Sequence, residues 1–245
     1  MTVQQYALLA WQSIANLFGQ PRYLPETFQQ ADIIGVGSLP IVLLTGFFLG
    51  AVLALQSANS LARFGTSTYT GELVSLAMVR EIGPVLTGLM VAGRNATGMA
   101  SELGSMQVTE QIDAMRALGT DPSKKLVTPR MVSTVFMLVI LTILADICAI
   151  SGGATVAVLL LRLDAHQYWS MAWQSLAFGD VFMGLTKPLL FGFIIATVGC
   201  FYGLTARGGT QGVGRATTQA MVTASVFIVV TDLFVTKFLL TIFPF

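Results

Sequence analysis

Five long apolar runs, at about residues 36–60, 72–100, 131–161, 181–206 and 216–243, constrain this chain more than anything else in it. A helix rises about 1.5 Å per residue, so about 20 residues cross the roughly 30 Å hydrocarbon layer of a bilayer, and every run is at least that long. Several exceed that minimum, which implies tilt, kinks or helix beyond the hydrocarbon. Composition points the same way: 54% of residues are hydrophobic, 10% are charged and the mean hydropathy is +0.76, whereas about a quarter of an ordinary soluble domain is charged. The expected fold is an all-α polytopic membrane protein with five transmembrane helices. Its 245 residues are expected to form a single membrane domain with no separate soluble one.

The segments around the runs add detail. Residues 2–18 place Val3, Ala7, Trp11, Ile14 and Phe18 at helical spacing, which suits an N-terminal helix in the membrane interface or one packed on the rest of the protein. The first 21 residues carry no charge and Arg22 comes too late for a cleaved signal peptide, so insertion is expected to rely on internal spans. Arg116, Lys124, Lys125 and Arg130 in one connection, and Arg207 and Arg215 in another, outnumber Arg63 and Arg162 on the opposite side. The positive-inside rule then places the N-terminus in the cytoplasm and the C-terminus outside. Residues 162–180 become an external segment in which Tyr168, Trp169 and Trp173 suit an interfacial helix.

Several function classes lack their residues. A net charge of +1 without a dense basic cluster argues against nucleic-acid binding. The sequence contains no phosphate-loop motif, and the glycine-rich GRNATG and RGGTQGVG stretches lack a strand-to-helix setting. His166 is the only histidine, with no second metal ligand at a workable spacing and no catalytic triad around it. Cys148 and Cys200 lie inside apolar runs and read as buried thiols.

Charge inside the second run is the main chemical signal. Arg80 and Glu81 lie on the order of 12 Å from its external end, too deep for exposure to lipid. Adjacent helical residues point about 100° apart, so each is expected to find its own partner. They read either as an ion pair stapling helices or as a polar wall of a substrate path. Gly83 and Pro84 follow one turn later and read as a hinge. Asp146, Lys187, Asp232 and Lys237 are further ionisable residues in or near later runs, expected to serve structural pairing or interfacial placement, with a proton relay through Asp146 and Asp232 as the alternative. Small residues recur every fourth position at Gly46, Gly50, Ala54 and Ala58, and at Ala92, Ala96, Ala100 and Gly104, which suits close helix packing within the chain or across a dimer. Residues 102–119 alternate apolar and charged positions as a short amphipathic cytoplasmic helix would, with Gly119 as its stop.

Residues 73–130 carry R-E-x-G-P, A-G-R, A-x-E-L-G-x-M-x-x-T-E-Q-I, D-P and a closing P-R, a pattern that resembles the MlaE family of ABC-transporter permeases. Weaker similarity extends through residues 46–56 and 212–222. The resemblance implies a permease subunit, not an enzyme, that moves phospholipids between the Gram-negative inner membrane and the periplasm or outer membrane. No cofactor is implied in this chain; ATP and Mg would be bound by a partner ATPase. It implies a homodimer, two MlaF-like ATPases docked on a coupling helix, an MlaD-like MCE-domain protein on the periplasmic side and an MlaB-like STAS-domain protein on the ATPase. Carried onto this sequence, the coupling role falls to Glu102, Met106, Thr109, Glu110, Asp113 and Arg116, and the lipid cavity to Leu53, Gln56, Arg80 and Glu81. The stretch before the first run is short and carries one basic residue, unlike some relatives.

Two rival readings remain from the residues alone: an ion-coupled secondary transporter of a hydrophobic substrate, and a membrane scaffold for a periplasmic lipid-binding protein. The first would want inverted repeats and a chain of midplane titratable groups, and neither is legible in the sequence.

Overall fold

The computed structural model describes residues 2–16 and 23–242, and among the described residues every regular element is helical. In chain order these are α1 (Thr2–Ala15), α2 (Leu24–Ala62), α3 (Ser67–Val108), α4 (Gln111–Ala117), α5 (Ser123–Leu159), α6 (Ala165–Gln174), α7 (Phe178–Leu204) and α8 (Gly209–Ile242). Five of them, α2, α3, α5, α7 and α8, are long and apolar enough to cross a membrane. All but α7 extend well past an end of their apolar run: α2 starts at Leu24 rather than near 36, and α8 at Gly209 rather than near 216. Hydropathy marks where hydrocarbon would end, whereas the backbone ladder continues into polar sequence that water can solvate.

Arg22 and Phe18 lie outside the described residues, as do the side chain of Val3 and the end of the last run beyond 242. In α1, Ala7, Trp11 and Ile14 are exposed. The packed side is Tyr6, whose hydroxyl lies 2.9 Å from Thr197 Oγ1 and whose ring meets Phe201 edge-on, together with Leu9. The apolar stripe therefore faces outward, and the chain is anchored through the other face.

The chain divides into two compact units, one of Met1–Ser38, Gly88–Leu138 and Leu189–Thr231 and one of Leu39–Thr87, Val139–Pro188 and Asp232–Phe245. The core of the first is Ile34, Met99, Leu103, Val127, Met131, Ala196 and Cys200. There the second ridge of small residues meets α7: Gly199 lies over Ala96, and Gly203 against Ala100 and Leu103. In the second unit, Gly46 and Gly50 of α2 seat on the backbone of Ala145 and Ala149 of α5, Gly152 of α5 returns the contact on Phe47, and Ala54 is buried with Val74, Met78 and Ala149. Both ridges thus serve packing inside the chain, where small side chains let backbones approach.

Two short helices differ from expectation. Residues 102–119 do not form one helix: α3 runs on to Val108, Glu110 takes a left-handed conformation (φ 60°), and α4 follows. A non-glycine residue there costs about 1–2 kcal/mol, and the turn is held by Glu110 N–H donating to Gln107 O and Ala114 N–H donating to Glu110 O. Gly119 (φ 77°) does end α4, with Thr120 N–H donating to Met115 O. In α6, Asp164 caps the N-terminus by accepting from Gln167 N–H at 2.8 Å. Trp169 and Trp173 are exposed, but Tyr168 is not interfacial: it is buried and donates to Ile150 O at 3.2 Å, and burial pushes its hydroxyl pKa up. The 3.6-residue period could not distinguish these aromatics, since Tyr168 and Trp169 are neighbours pointing to different faces.

A methyl added at Gly50 would overlap the Ala149 carbonyl, which as backbone cannot step aside, whereas Gly98 has open space around it. Gly50→Ala should therefore destabilise by about 1–3 kcal/mol, and Gly98→Ala should be neutral or slightly stabilising. Thermal unfolding of the purified variants in one detergent checks both.

Candidate functional site

The second unit gathers charges that the sequence scatters over more than 150 positions, from Arg80 to Asp232. The organising element is a widened turn in α3, Met78–Ile82, in which hydrogen bonds run one residue longer than in an α-helix. Pro84 has no N–H to give, which breaks the ladder behind it. The turn absorbs the break, with Gly83 N–H donating to Met78 O. Such π-turns recur at functional sites because the inserted residue re-aims side chains without ending the helix.

Arg80 and Glu81 leave this turn toward different partners, as their angular separation requires. Arg80 Nε donates to Asp180 Oδ1 at 2.6 Å, and Asp180, fully buried at the start of α7, also accepts from Ala177 N–H at 2.9 Å. Glu81 Oε2 pairs with Lys187 Nζ of α7, and Thr236 Oγ1 of α8 donates to both Glu81 oxygens at 3.3 Å. Lys187 is 0% exposed and lies 3.0 Å from Asp232 Oδ1 of α8, an ion pair without hydrogen-bond alignment. Three carboxylates thus meet two cations. The arrangement is sealed at the lysine and open at the turn, where the Arg80 and Glu81 side chains are 28% and 40% exposed. A half-exposed guanidinium beside a half-exposed carboxylate offers complementary charge to a zwitterionic or anionic group among otherwise apolar helices.

The other sequence candidates are placed as follows. Leu53 is half-buried against Ala54, Val74 and Met78, while Gln56 is exposed on α2, and neither shares a hydrogen bond with the charge cluster. Gly83 has ordinary right-handed helical torsions (φ −58°, ψ −57°) and Pro84 is buried, so the glycine is there for space, a methyl at Gly83 overlapping Asp146 Oδ1.

In the first unit, Thr109, Glu110, Asp113 and Arg116 are exposed, the last two forming a 2.8 Å pair with each other. Met106 packs on the core, and Glu102 is tied at 2.7 Å to Arg130, itself 4% exposed and donating also to Leu126 O at 2.8 Å. A second π-turn there, Ala92–Ala96, carries Arg94, which donates to Ser38 Oγ at 3.0 Å over Gly37.

Asp180, Thr236 and Arg130 are the partners that sequence reasoning missed. Asp180 stands at the end of the segment that reads as external, and Thr236 is a neutral residue in an apolar run. Spacing could have found both: Asp180 lies seven residues before Lys187 and Thr236 four after Asp232, each on one helix face.

An all-α chain with five membrane-length helices and buried, paired charges among them has the architecture of a polytopic membrane protein. A sequence model of the MlaE permease family matches residues 27–238, and the chain belongs to that family. It is 40% identical over 234 residues to a probable ABC transporter permease protein of Rickettsia typhi, covering 96% of this chain and 90% of that protein. It is 33% identical over 224 residues to the intermembrane phospholipid transport system permease protein MlaE of Haemophilus influenzae, covering 90% and 86%. It is 32% identical over 231 residues to the chloroplastic protein trigalactosyldiacylglycerol 1 of Arabidopsis thaliana, covering 94% and 66%.

Lys187→Met should destabilise the protein strongly, by about 3–5 kcal/mol, because two carboxylates lose their buried cation. Neutralising all three groups with Glu81→Gln and Asp232→Asn in the same chain should return most of that loss. Chemical or thermal unfolding of the single and triple variants checks the cycle.

Proposed function

We propose that this chain is the membrane subunit of an ABC transporter that moves phospholipids between the inner membrane and the periplasm or outer membrane, energised by a separate ATPase. The observation that carries this reading is the open end of the charge cluster: Arg80 and Glu81, half-exposed on a widened helix turn, supported from behind by Asp180 and Lys187. A lipid path needs apolar walls for acyl chains and a few fixed charges for a headgroup, and these side chains meet that need. Membership of the MlaE family, and the names of the Haemophilus and Rickettsia relatives, support both the lipid and the ABC parts of the reading. Leu53 and Gln56 join the proposed path on the strength of the family resemblance.

The same reading assigns α4 and the turn before it to ATPase docking. Thr109, Glu110, Asp113 and Arg116 are the exposed contacts, while Met106 and Glu102 root the segment in the protein through the core and Arg130. A homodimer in the inner membrane, with the N-terminus in the cytoplasm and MCE-domain and STAS-domain partners, completes the proposed assembly. Nucleotide and Mg would bind the ATPase.

One observation favours a second reading. Neighbouring positions of α3 root two ion-pair groups, Arg80–Asp180 and Glu81–Lys187–Asp232, and buried carboxylates of this kind are what an ion-coupled secondary transporter would use. Reconstituted lipid transfer separates the two: an ATPase and ATP drive it in the first, an imposed ion gradient alone in the second.

Purification from native membranes in mild detergent should retain an ATPase, an MCE-domain protein and phospholipid, each identified by mass spectrometry. Glu110→Lys with Arg116→Glu should strip the ATPase. Arg80→Ala should lower ATP-driven lipid transfer about tenfold, the loss of one charge-assisted contact, with the ATPase still bound. Recovery of the chain alone in every detergent would overturn the ABC reading.

A further inference from the structure

We propose that Asp146 is a proton-binding carboxyl that positions the Arg80–Glu81 turn, and that it does so as the uncharged acid. It lies on α5 between Ala145 and Ala149, which are covered by Gly46 and Gly50 of α2, and its own side chain is turned to α3. Its Oδ1 seats directly on Gly83, in the place where any Cβ would stand. Met78 O, the acceptor that closes the widened turn, lies on the same side of Gly83. Asp146 therefore touches α3 at the end of its first widened turn, between the Arg80–Glu81 step and Pro84.

The carboxyl is buried, and Oδ1 has no hydrogen-bond partner among the described residues. The charged groups on the elements packed around it are committed elsewhere. On α3, Arg80 holds Asp180 and Glu81 holds Lys187; on α7, Asp180 and Lys187 close the same pairs; on α8, Asp232 is on Lys187. Glu72 lies two turns before the widened turn, and Arg63, Asp164, Arg162, His166 and Lys237 of this unit are exposed at its margins. None of them forms an ion pair with Asp146.

An ionised carboxylate without a partner in a membrane interior costs several kcal/mol even after relaxation, and such a group takes up a proton instead. Protonation also changes what it can do. The acid gains one O–H donor, and the Met78 carbonyl on the same side of Gly83 keeps a second lone pair toward which it could turn. Ionisation would instead set an anion beside that carbonyl oxygen and push on the turn. The uncharged acid steadies the step that carries Arg80 and Glu81; the anion would loosen it.

The test is infrared spectroscopy of the purified protein in lipid nanodiscs at neutral pH, comparing wild type with Asp146→Asn. A carboxylic C=O stretch present in wild type and missing from the Asn variant is expected, since Asn reproduces the shape of the neutral acid without its proton. Absence of that band, or its persistence in the variant, would overturn the proposal. In reconstituted lipid transfer, Asp146→Asn should stay within about twofold of wild type and Asp146→Ala should fall about tenfold, a 1.4 kcal/mol effect. As pH rises, wild-type transfer should decline in step with loss of the band while the Asn variant stays flat. An Asn variant as impaired as Ala, or a pH profile that Asn does not alter, would also overturn it. The inference deepens the proposed lipid path, yet the infrared result does not depend on transport, so the two can fail separately. If the Ala variant does not fold, Gly83→Ala still tests the contact: it should lower the Tm, and Asp146→Ser in that background should restore part of the loss. A Gly83→Ala protein as stable as wild type would sink the idea.

Discussion

The buried ammonium of Lys187 sets the terms for the second unit. A cation that is wholly enclosed by protein cannot be hydrated, and in a bilayer it cannot be left facing acyl chains, so α7 is acceptable there only with carboxylates brought to it from α3 and α8. Glu81 and Asp232 supply them, and each is itself tolerable only because Lys187 answers it. Such a pair is weak evidence for stability, since apolar residues of the same volume would cost less to bury. What it provides is specificity: three helices can associate in one register, because sliding any of them by a turn leaves a charge unpaired. The Arg80–Asp180 pair adds a second point of registration on α3 and α7, one residue and seven residues away.

Backbone breaks sit beside these charges. Pro84 follows Glu81 by three residues, and Pro188 follows Lys187 directly. Each removes a donor from its helix ladder, so carbonyl oxygens near the cluster lose their usual partners. On α3 the compensation is visible as the widened turn, which shifts the hydrogen-bond pattern by one residue and lets Arg80 and Glu81 serve α7 and α8 from consecutive positions. A regular α-helix would hold the same two residues in the same order but with every carbonyl satisfied and less freedom in where the side chains leave. Side-chain charge and backbone irregularity are therefore one device: the charges hold the helices in register, and the irregular turn gives those charges their directions.

The sequence made part of this legible. Five spans follow from length and hydropathy, because lipid enforces helices and helices have a fixed rise. The isolated charges followed too, since an Arg-Glu step in an apolar run demands partners. What the sequence could not show is which partners. Lys187 and Asp232 were visible as ionisable residues, but their pairing depends on how α3, α7 and α8 pack, and pattern along one helix does not reveal its rotation against another. Asp180 was hidden because it stands at a helix start that looked like loop. The helices begin at Leu24 and Gly209, well before their apolar runs, for a related reason: hydropathy reports the solvent around a helix, not the hydrogen bonds within it. Residues 102–119 carry an unbroken amphipathic pattern across a turn at Glu110 whose left-handed backbone nothing in the local residue types announces.

Gly83 shows why a residue type alone is a poor guide to its role. A glycine before a proline in an apolar run reads as a hinge, on the ground that glycine tolerates conformations other residues avoid. Its torsions here are those of an ordinary helix, so no left-handed backbone calls for a glycine. What no other residue could do is leave room for the Asp146 carboxyl against the α3 backbone. The demand comes from α5, a helix more than sixty positions away in sequence, and is read only once the two helices are placed together. Flexibility of the turn, where it exists, then comes from the missing donor of Pro84 and the widened ladder before it, and the glycine contributes closeness of packing instead.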